Sequence, residues 1–236
     1  MKKTPNVLNI LFDPDTWIVV ALVLIALIIH RIEVETPFTS TRKVGAAARS
    51  VIQLMPERGS HGSAAVVKAE PLSEGVWLLT LVTADHMVAD QDETAHALLA
   101  NGAEVPFEVL DRDSDIDAAV ITIRSPIFVK ALPIRDGTPF LAEPAFTLGY
   151  GGAYGSLWIG CGVICTDSLT TAPIIYGDSG GAVLDGQGRL LGTIKNIEVM
   201  NQVTEPFGSV VRVPIAHHAG FVSSAALLSR FGTKIR

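Results

Sequence analysis

The stretch Gly177-Asp178-Ser179-Gly180-Gly181-Ala182-Val183 decides the fold, because it sets one serine among three glycines. Glycine adopts backbone conformations that other residues avoid, so the chain can bend sharply around Ser179. Such a bend exposes the hydroxyl and directs neighbouring N–H groups to one point, as acyl transfer through an oxyanion requires. A plain glycine-rich turn is the alternative interpretation.

A serine nucleophile needs a base, and the base needs an acid to orient it. His86 follows an apolar, strand-like run, whereas the other histidines lie in loop-like stretches, beside the C-terminal tail or beside the N-terminal apolar run. Asp117 directly precedes the apolar run 118–123, so it is the aspartate of its loop that a buried strand would hold. The order His86, Asp117, Ser179 is one of the known triad orders. A purely structural histidine at a strand end is the alternative.

From about residue 48 onward, short apolar runs alternate with turn signals. The predicted strands cover 51–54, 64–67, 76–81, 97–99, 105–110, 119–123, 145–148, 157–164, 181–184, 190–197 and 210–213. Many short strands at this spacing predict an all-β barrel or sandwich. Only the tail, 219–230, has a helical pattern. We therefore expect an N-terminal segment (1–32), a linker (33–47) that contains Pro37, and a β-rich domain (48–236).

The N-terminal segment contains one uninterrupted apolar run, Trp17–Ile29. Its 13 residues fall short of the ~20 that cross a bilayer, but Thr16, His30 and Ile32 can extend it. No small-x-small cleavage site follows directly, which favours a retained single-pass anchor over a signal peptide. A buried core helix is the third interpretation. The flanking Lys and Arg residues favour a cytoplasmic C-terminal domain, though only slightly.

Composition restricts the class of protein further. Of 236 residues, 48% are hydrophobic and 18% charged, which argues against disorder. The net charge of −6 argues against nucleic-acid binding, which needs a cationic face. Cys161 and Cys165 would lie about 13 Å apart on a strand, too far for a disulfide, so both are predicted to be free thiols. No metal-ligand spacing is present, and no cofactor is expected.

Two blocks make a family resemblance specific. Thr83-Ala84-Asp85-His86 resembles the Thr-Ala-Ala-His block of trypsin-like serine proteases, and 177–183 resembles their nucleophile loop. The segments between are closer to the HtrA/Deg branch: 98–106 resembles its LADG hairpin and 115–120 its acid strand. Further similar segments are Gly62-Ser63-Ala64, Leu148-Gly149-Tyr150-Gly151 and Leu191-Gly192-Thr193-Ile194.

The likeness covers about residues 48–225. It implies two six-stranded antiparallel β-barrels (chymotrypsin-like), with an N-terminal transmembrane helix and a short C-terminal helix. It also implies the catalytic residues His86, Asp117 and Ser179, and an oxyanion hole at Gly177, Asp178 and Ser179 built from the N–H groups of Gly177 and Ser179. The tentative substrate-pocket residues are Ile174, Ile175, Tyr176, Thr193 and Lys195. Because the stretch 172–176 carries no acid, we expect small or apolar P1 residues.

Two departures from the HtrA/Deg pattern matter. We expect no PDZ domain in these 236 residues. Position 178 is Asp, as in the trypsin branch, where the HtrA branch usually has Asn. In trypsin-like zymogens that aspartate pairs with a new N-terminus, for which Lys43-Val44 is a candidate cleavage site. A Lys or Arg side chain is the alternative partner.

The sequence thus predicts a membrane-anchored serine endopeptidase that acts on polypeptides and needs no metal. Relatives in the HtrA branch are often trimers, so a homo-oligomer is an open expectation. The family resemblance favours an extracytoplasmic protease domain, opposite to the charge bias. Two other functions remain open: a viral or phage-type processing protease, and a binding or chaperone module without turnover.

Overall fold

The computed structural model describes residues 37–56, 61–89, 95–152, 155–204 and 209–236, with the side chains of 37–40 and 198–217 left out. The chain divides into two units, Met1–Thr39 and Ser40–Arg236, and the second holds every strand among these residues. The predicted anchor, Trp17–Ile29, lies outside the described residues. Within the described ranges, no helix has the length and apolar character needed to span a membrane.

The first half of the β-rich unit is a closed antiparallel barrel of six strands in the order β1-β2-β3-β6-β5-β4. Its strands are β1 (Val51–Met55), β2 (Gly62–Ser73), β3 (Val76–Thr83), β4 (His96–Leu98), β5 (Glu104–Asp113) and β6 (Ala118–Ser125). The barrel interior is filled by alternate apolar side chains such as Leu54, Leu81 and Ile121, each of which is fully buried. This alternation is the period-2 pattern that predicts half-buried strands.

The second half is another closed six-stranded antiparallel barrel, in the order β10-β11-β12-β9-β8-β7. Its strands are β7 (Pro144–Gly151), β8 (Ser156–Thr166), β9 (Leu169–Thr170), β10 (Ala182–Asp185), β11 (Leu190–Thr204) and β12 (Ser209–Ser223). The predicted pair of six-stranded barrels is therefore confirmed. Both cysteines lie on β8 and are free, as predicted.

A shared apolar core joins the two barrels. Val82 and Val120 from the first barrel pack in one buried cluster with Leu148 and Leu184 from the second. The C-terminal helix α2 (Ser224–Ile235) adds Leu227, Phe231 and Ile235 to this cluster, and all three are at most 1% exposed. The helix is therefore fixed to both barrels.

The helices differ from the sequence-based expectations in two places. The predicted C-terminal helix over 219–230 starts later, at Ser224, because β12 continues to Ser223, whose hydroxyl accepts from Ala226 N at 3.3 Å and caps the helix. The expected linker contains α1 (Pro37–Ala47), followed by the 3₁₀ turn Ala48–Ser50. Val44 and Ala47 are buried in the shared core, so packing against the barrels stabilises this helix.

Candidate active site

His86 lies in a 3₁₀ turn (Asp85–Met87) directly after β3 and contacts Asp117 through both its ring and its backbone. Its ring Nδ1 is 3.0 Å from each carboxylate oxygen of Asp117, and its backbone N–H donates to Asp117 Oδ1 at 3.0 Å. The His86 side chain is 47% exposed, so the ring edge away from Asp117 remains accessible. The structure therefore brings together the predicted base and the predicted acid.

Asp117 is the last residue of the turn between β5 and β6, and its φ is +57°. A residue with a side chain rarely adopts this left-handed conformation, which persists where the surroundings impose it. The double contact with His86 is one such restraint. The apolar residues that follow, Ala118 and Ala119, are fully buried and fix the start of β6.

A second ion pair holds the turn that carries His86. Asp85, only 5% exposed, accepts from Arg112 Nε at 2.7 Å and from a terminal nitrogen at 3.0 Å. This two-point contact links the His86 turn to β5, the strand before Asp117. The sequence suggested no role for Arg112, because its partner is 27 residues away.

The electrostatic environment suits a histidine base. The hydrogen bond with Asp117 raises the pKa of His86, burial and the positive charge of Lys195 oppose this rise, and the charges of Asp117 and Asp85 add to it. Burial alone would raise the pKa of Asp117, but its hydrogen bonds to the His86 side chain and backbone, together with the positive charges of His86 and Lys195, outweigh burial and lower that pKa. Asp117 therefore stays ionised beside His86.

The Ser179 loop packs against the end of β3, just before His86. A Cβ at Gly180 would lie 2.1 Å from both Ser63 O and Thr83 Oγ1, so only glycine allows this approach. The Ser63 N–H donates to Ser179 O at 2.9 Å. Among the described residues, Ser179 Oγ donates to Lys195 O at 3.5 Å, and no Ser179–His86 hydrogen bond is formed. In proteins without bound substrate, catalytic hydrogen bonds are often long or unformed.

The backbone around Ser179 leaves two N–H groups available. In the described part of the chain, neither Gly177 N–H nor Ser179 N–H has an acceptor, whereas Asp178 N–H donates to Ile175 O at 3.1 Å. Tyr176 O accepts from Gly152 N and Asp178 O from Gly181 N, both at 2.8 Å. Because a trans peptide directs its N–H opposite to its carbonyl, these bonds orient both available amides.

Ser63 and His61 also contact this loop, and the sequence suggested no role for either. The Ser63 hydroxyl donates to Gly177 O at 2.9 Å and accepts from Tyr150 N at 2.8 Å. A Cβ at Gly177 would lie 2.5 Å from His61 Nε2, a buried atom with no partner among the described residues. Gly177 has φ +98°, which favours glycine independently of this close packing.

Asp178 is fully buried beneath β7. Its Oδ2 accepts from Ile175 N at 2.8 Å, while Oδ1 has no partner within the described ranges. Burial raises the pKa of Asp178 to about 6, and the bond from Ile175 N opposes this only in part. Within those same ranges no Lys or Arg pairs with it. The Lys43–Val44 peptide, the candidate for activation, lies inside α1, where Val44 is 2% exposed.

The five tentative pocket residues do not share one environment. Ile174 packs against the interior of the second barrel, and Thr193 is fully buried with an unpaired hydroxyl among the described residues. Tyr176 is 85% exposed and Ile175 is 36% exposed. Lys195 lines an open cleft of about 400 Å³ together with Ile116, Asn196 and Phe221. The described residues include no cluster of His, Cys, Asp or Glu that could hold a metal ion.

Comparison with known proteins agrees with this fold. The model of the trypsin-like peptidase domain family matches residues 62–192. A crystal structure titled the serine endoprotease from Yersinia pestis is similar, with a TM-score of 0.62 and 21% identity, covering 85% of this chain and 68% of that one. No curated protein matches the sequence. The chain belongs to the trypsin-like peptidase family. It is a serine endopeptidase by class, and its predicted trypsin-like, HtrA-type fold is confirmed.

Replacing Asp178 with Asn tests whether burial raises the pKa of this carboxyl. Because its pKa is about 6 in the folded state and near 3.8 unfolded, the folded protein holds this proton more tightly, and wild-type stability falls as pH rises through that window. We expect the free energy of unfolding of Asp178→Asn, relative to wild type, to improve by about 2.4 kcal/mol between about pH 4 and pH 7.5. Denaturant unfolding at both pH values measures this.

Asp167→Asn, at an exposed position, is the control, and its difference from wild type should vary by less than about 0.5 kcal/mol. If Asp178→Asn and wild type differ in the free energy of unfolding by the same amount at both pH values, the raised pKa of Asp178 is contradicted.

Proposed function

We propose that the protein is a membrane-anchored serine endopeptidase in which His86, Asp117 and Ser179 form the catalytic triad. The observation that carries the proposal is the 3.0 Å contact of His86 Nδ1 with the Asp117 carboxylate, on a segment that adjoins the Ser179 loop. The two available N–H groups, of Gly177 and Ser179, support an oxyanion hole beside the nucleophile.

In the proposed reaction, Ser179 Oγ attacks the carbonyl carbon of the scissile peptide bond and His86 Nε2 takes the hydroxyl proton. Asp117 holds the imidazole with Nδ1 protonated and stabilises the imidazolium. The carbonyl oxygen becomes an oxyanion that accepts from Gly177 N–H and Ser179 N–H. The C–N bond then breaks, His86 gives its proton to the leaving amine, and water hydrolyses the acyl-enzyme by the same steps.

The pocket residues support a preference for small or apolar P1 side chains. Ile174 is apolar and packs against the second barrel, and the exposed residues that follow it, Ile175 and Tyr176, are uncharged. A basic P1 side chain would need an acid there, and the stretch 172–176 has none. Lys195 would instead lie near the His86–Asp117 pair, where its charge acts on both.

A fluorophosphonate probe tests the nucleophile. We expect the pure, folded wild-type protein to be labelled at pH 7–9 (roughly, where the base is neutral) and Ser179→Ala not to be labelled. Asp117→Asn should react roughly 10³–10⁴-fold more slowly because the imidazole tautomer is no longer set. Intact mass spectrometry over time measures the reaction.

Ser168→Ala is the control, because Ser168 is an exposed serine of the same barrel, and it should label as wild type does. Unlabelled wild-type protein would contradict the triad and favour a binding module on a protease fold. Equal labelling of Ser179→Ala would contradict the triad by placing the reactive residue elsewhere.

The apolar run Trp17–Ile29, which Thr16, His30 and Ile32 can extend, supports the proposed membrane anchor. We expect the full chain to remain in the membrane fraction after alkaline carbonate extraction, and a variant with Leu22→Asp and Ile25→Asp to be released, because charges at the centre of a span are costly. Leu141→Asp, at an exposed position of the barrel unit, should stay in the membrane fraction. Release of the wild-type protein would contradict anchoring.

A further inference from the structure

The turn that presents Asp117 is built around a second aspartate, Asp113. Asp113 Oδ1 accepts from Asp115 N at 3.0 Å and from Ile116 N at 3.4 Å. These bonds fold the four residues between β5 and β6, of which Asp117 is the last. The orientation of the Asp113 carboxylate therefore sets the path of the backbone into Asp117.

Arg230 of α2 holds that carboxylate from the far end of the chain. Its Nε donates to Asp113 Oδ2 at 2.8 Å. Its two terminal nitrogens donate to the carboxylate of Asp111 at 3.1 and 3.3 Å, and one of them also reaches Arg112 O at 3.4 Å. Lys234 contacts Asp111 as well. The planar guanidinium thus contacts three consecutive residues of β5 and restrains them together.

The helix gives Arg230 a fixed base. The guanidinium lies over the ring of Phe231, 4.9 Å from its centroid, and Phe231 is 1% exposed in the shared core. At the start of α2, the Ser224 hydroxyl donates to Arg135 O at 2.8 Å. The exposed ion pairs of Arg230 add little to global stability. Their geometric effect on the neighbouring turn is more important, because a displacement of about 1 Å at a catalytic group can cost about 100-fold in rate.

We propose that Arg230 is a positioning residue, which acts through Asp113 and the β5–β6 turn to hold Asp117 against His86. The inference rests on the proposed function and deepens it, since it makes the C-terminal helix part of the apparatus that orients the base. Arg112 contributes from the same hairpin by holding Asp85, so the two ion pairs restrain both sides of the His86–Asp117 contact.

The pKa of His86 reports this positioning with a definite sign. The charged groups that act on His86 are Asp117 from the turn, Asp85 from its own segment and Lys195 from β11. Because the hydrogen bond that His86 donates to Asp117 is the largest cause of the raised pKa, loosening Asp117 lowers that pKa. Removing the positive charge of Arg230 would by itself raise it. A fall therefore identifies positioning and excludes a simple charge effect.

The experiment compares Arg230→Gln with Arg236→Gln. Arg236 follows α2 directly and pairs with exposed Asp136 at 2.6 Å, so the control removes an arginine ion pair near the same helix end without touching the turn. We expect Arg230→Gln to react with the fluorophosphonate probe about tenfold or more slowly. In a Ser179→Ala background, NMR titration should show a lowered pKa for His86. The control should match wild type in both measurements, and melting temperatures should stay similar.

An unchanged or raised His86 pKa in Arg230→Gln, or an unchanged reaction rate, would overturn the inference while the triad stands. If the wild-type protein does not react at all, the proposed function fails, and the NMR titration alone decides the role of Arg230. Arg230→Lys keeps the charge but loses the planar donor set. It should show a smaller change of the same sign, and it replaces Arg230→Gln if that variant does not fold.

Discussion

Asp117 holds a left-handed backbone conformation while its carboxylate lies 3.0 Å from the His86 ring, and the rest of the site depends on how that position is maintained. Such a conformation is costly for a residue with a side chain, so its surroundings must impose it. The restraints come from three directions: the His86 backbone N–H, the buried start of β6, and the Asp113 turn with Arg230 behind it. Each restrains the proposed acid.

The Ser179 loop is restrained in a different way, by close backbone packing. Gly180 lies against Ser63 and Thr83, so the loop of the second barrel touches the strand that leads to His86. Hydrogen bonds to the carbonyls of Tyr176 and Asp178 orient the two available amides, and Asp178 is buried beneath them with one oxygen unpaired among the described residues. The site thus combines a strained acid, a tightly packed loop and a buried carboxyl, each of which depends on contacts within the folded barrels.

The sequence was sufficient to predict the parts of the fold that depend on short runs of neighbouring residues. Alternating runs such as 119–123 predicted strands, and the glycines around Ser179 predicted a sharp turn. The residues that restrain the site were not predictable in this way, because Arg230 contacts Asp113 across 117 residues and Ser63 contacts Gly177 across 114. The sequence predicted a linker where helix α1 forms. Burial of Val44 against the barrels stabilises this helix, and such burial leaves no strong local pattern in the sequence.

The most direct test of the central claim is a crystal structure of the protein after reaction with a fluorophosphonate. We expect a phosphorus atom bonded to Ser179 Oγ, with the phosphoryl oxygen about 2.7–3.1 Å from both Gly177 N and Ser179 N. We also expect the His86–Asp117 contact to be retained. An adduct on another residue, or a phosphoryl oxygen directed away from those two amides, would contradict it.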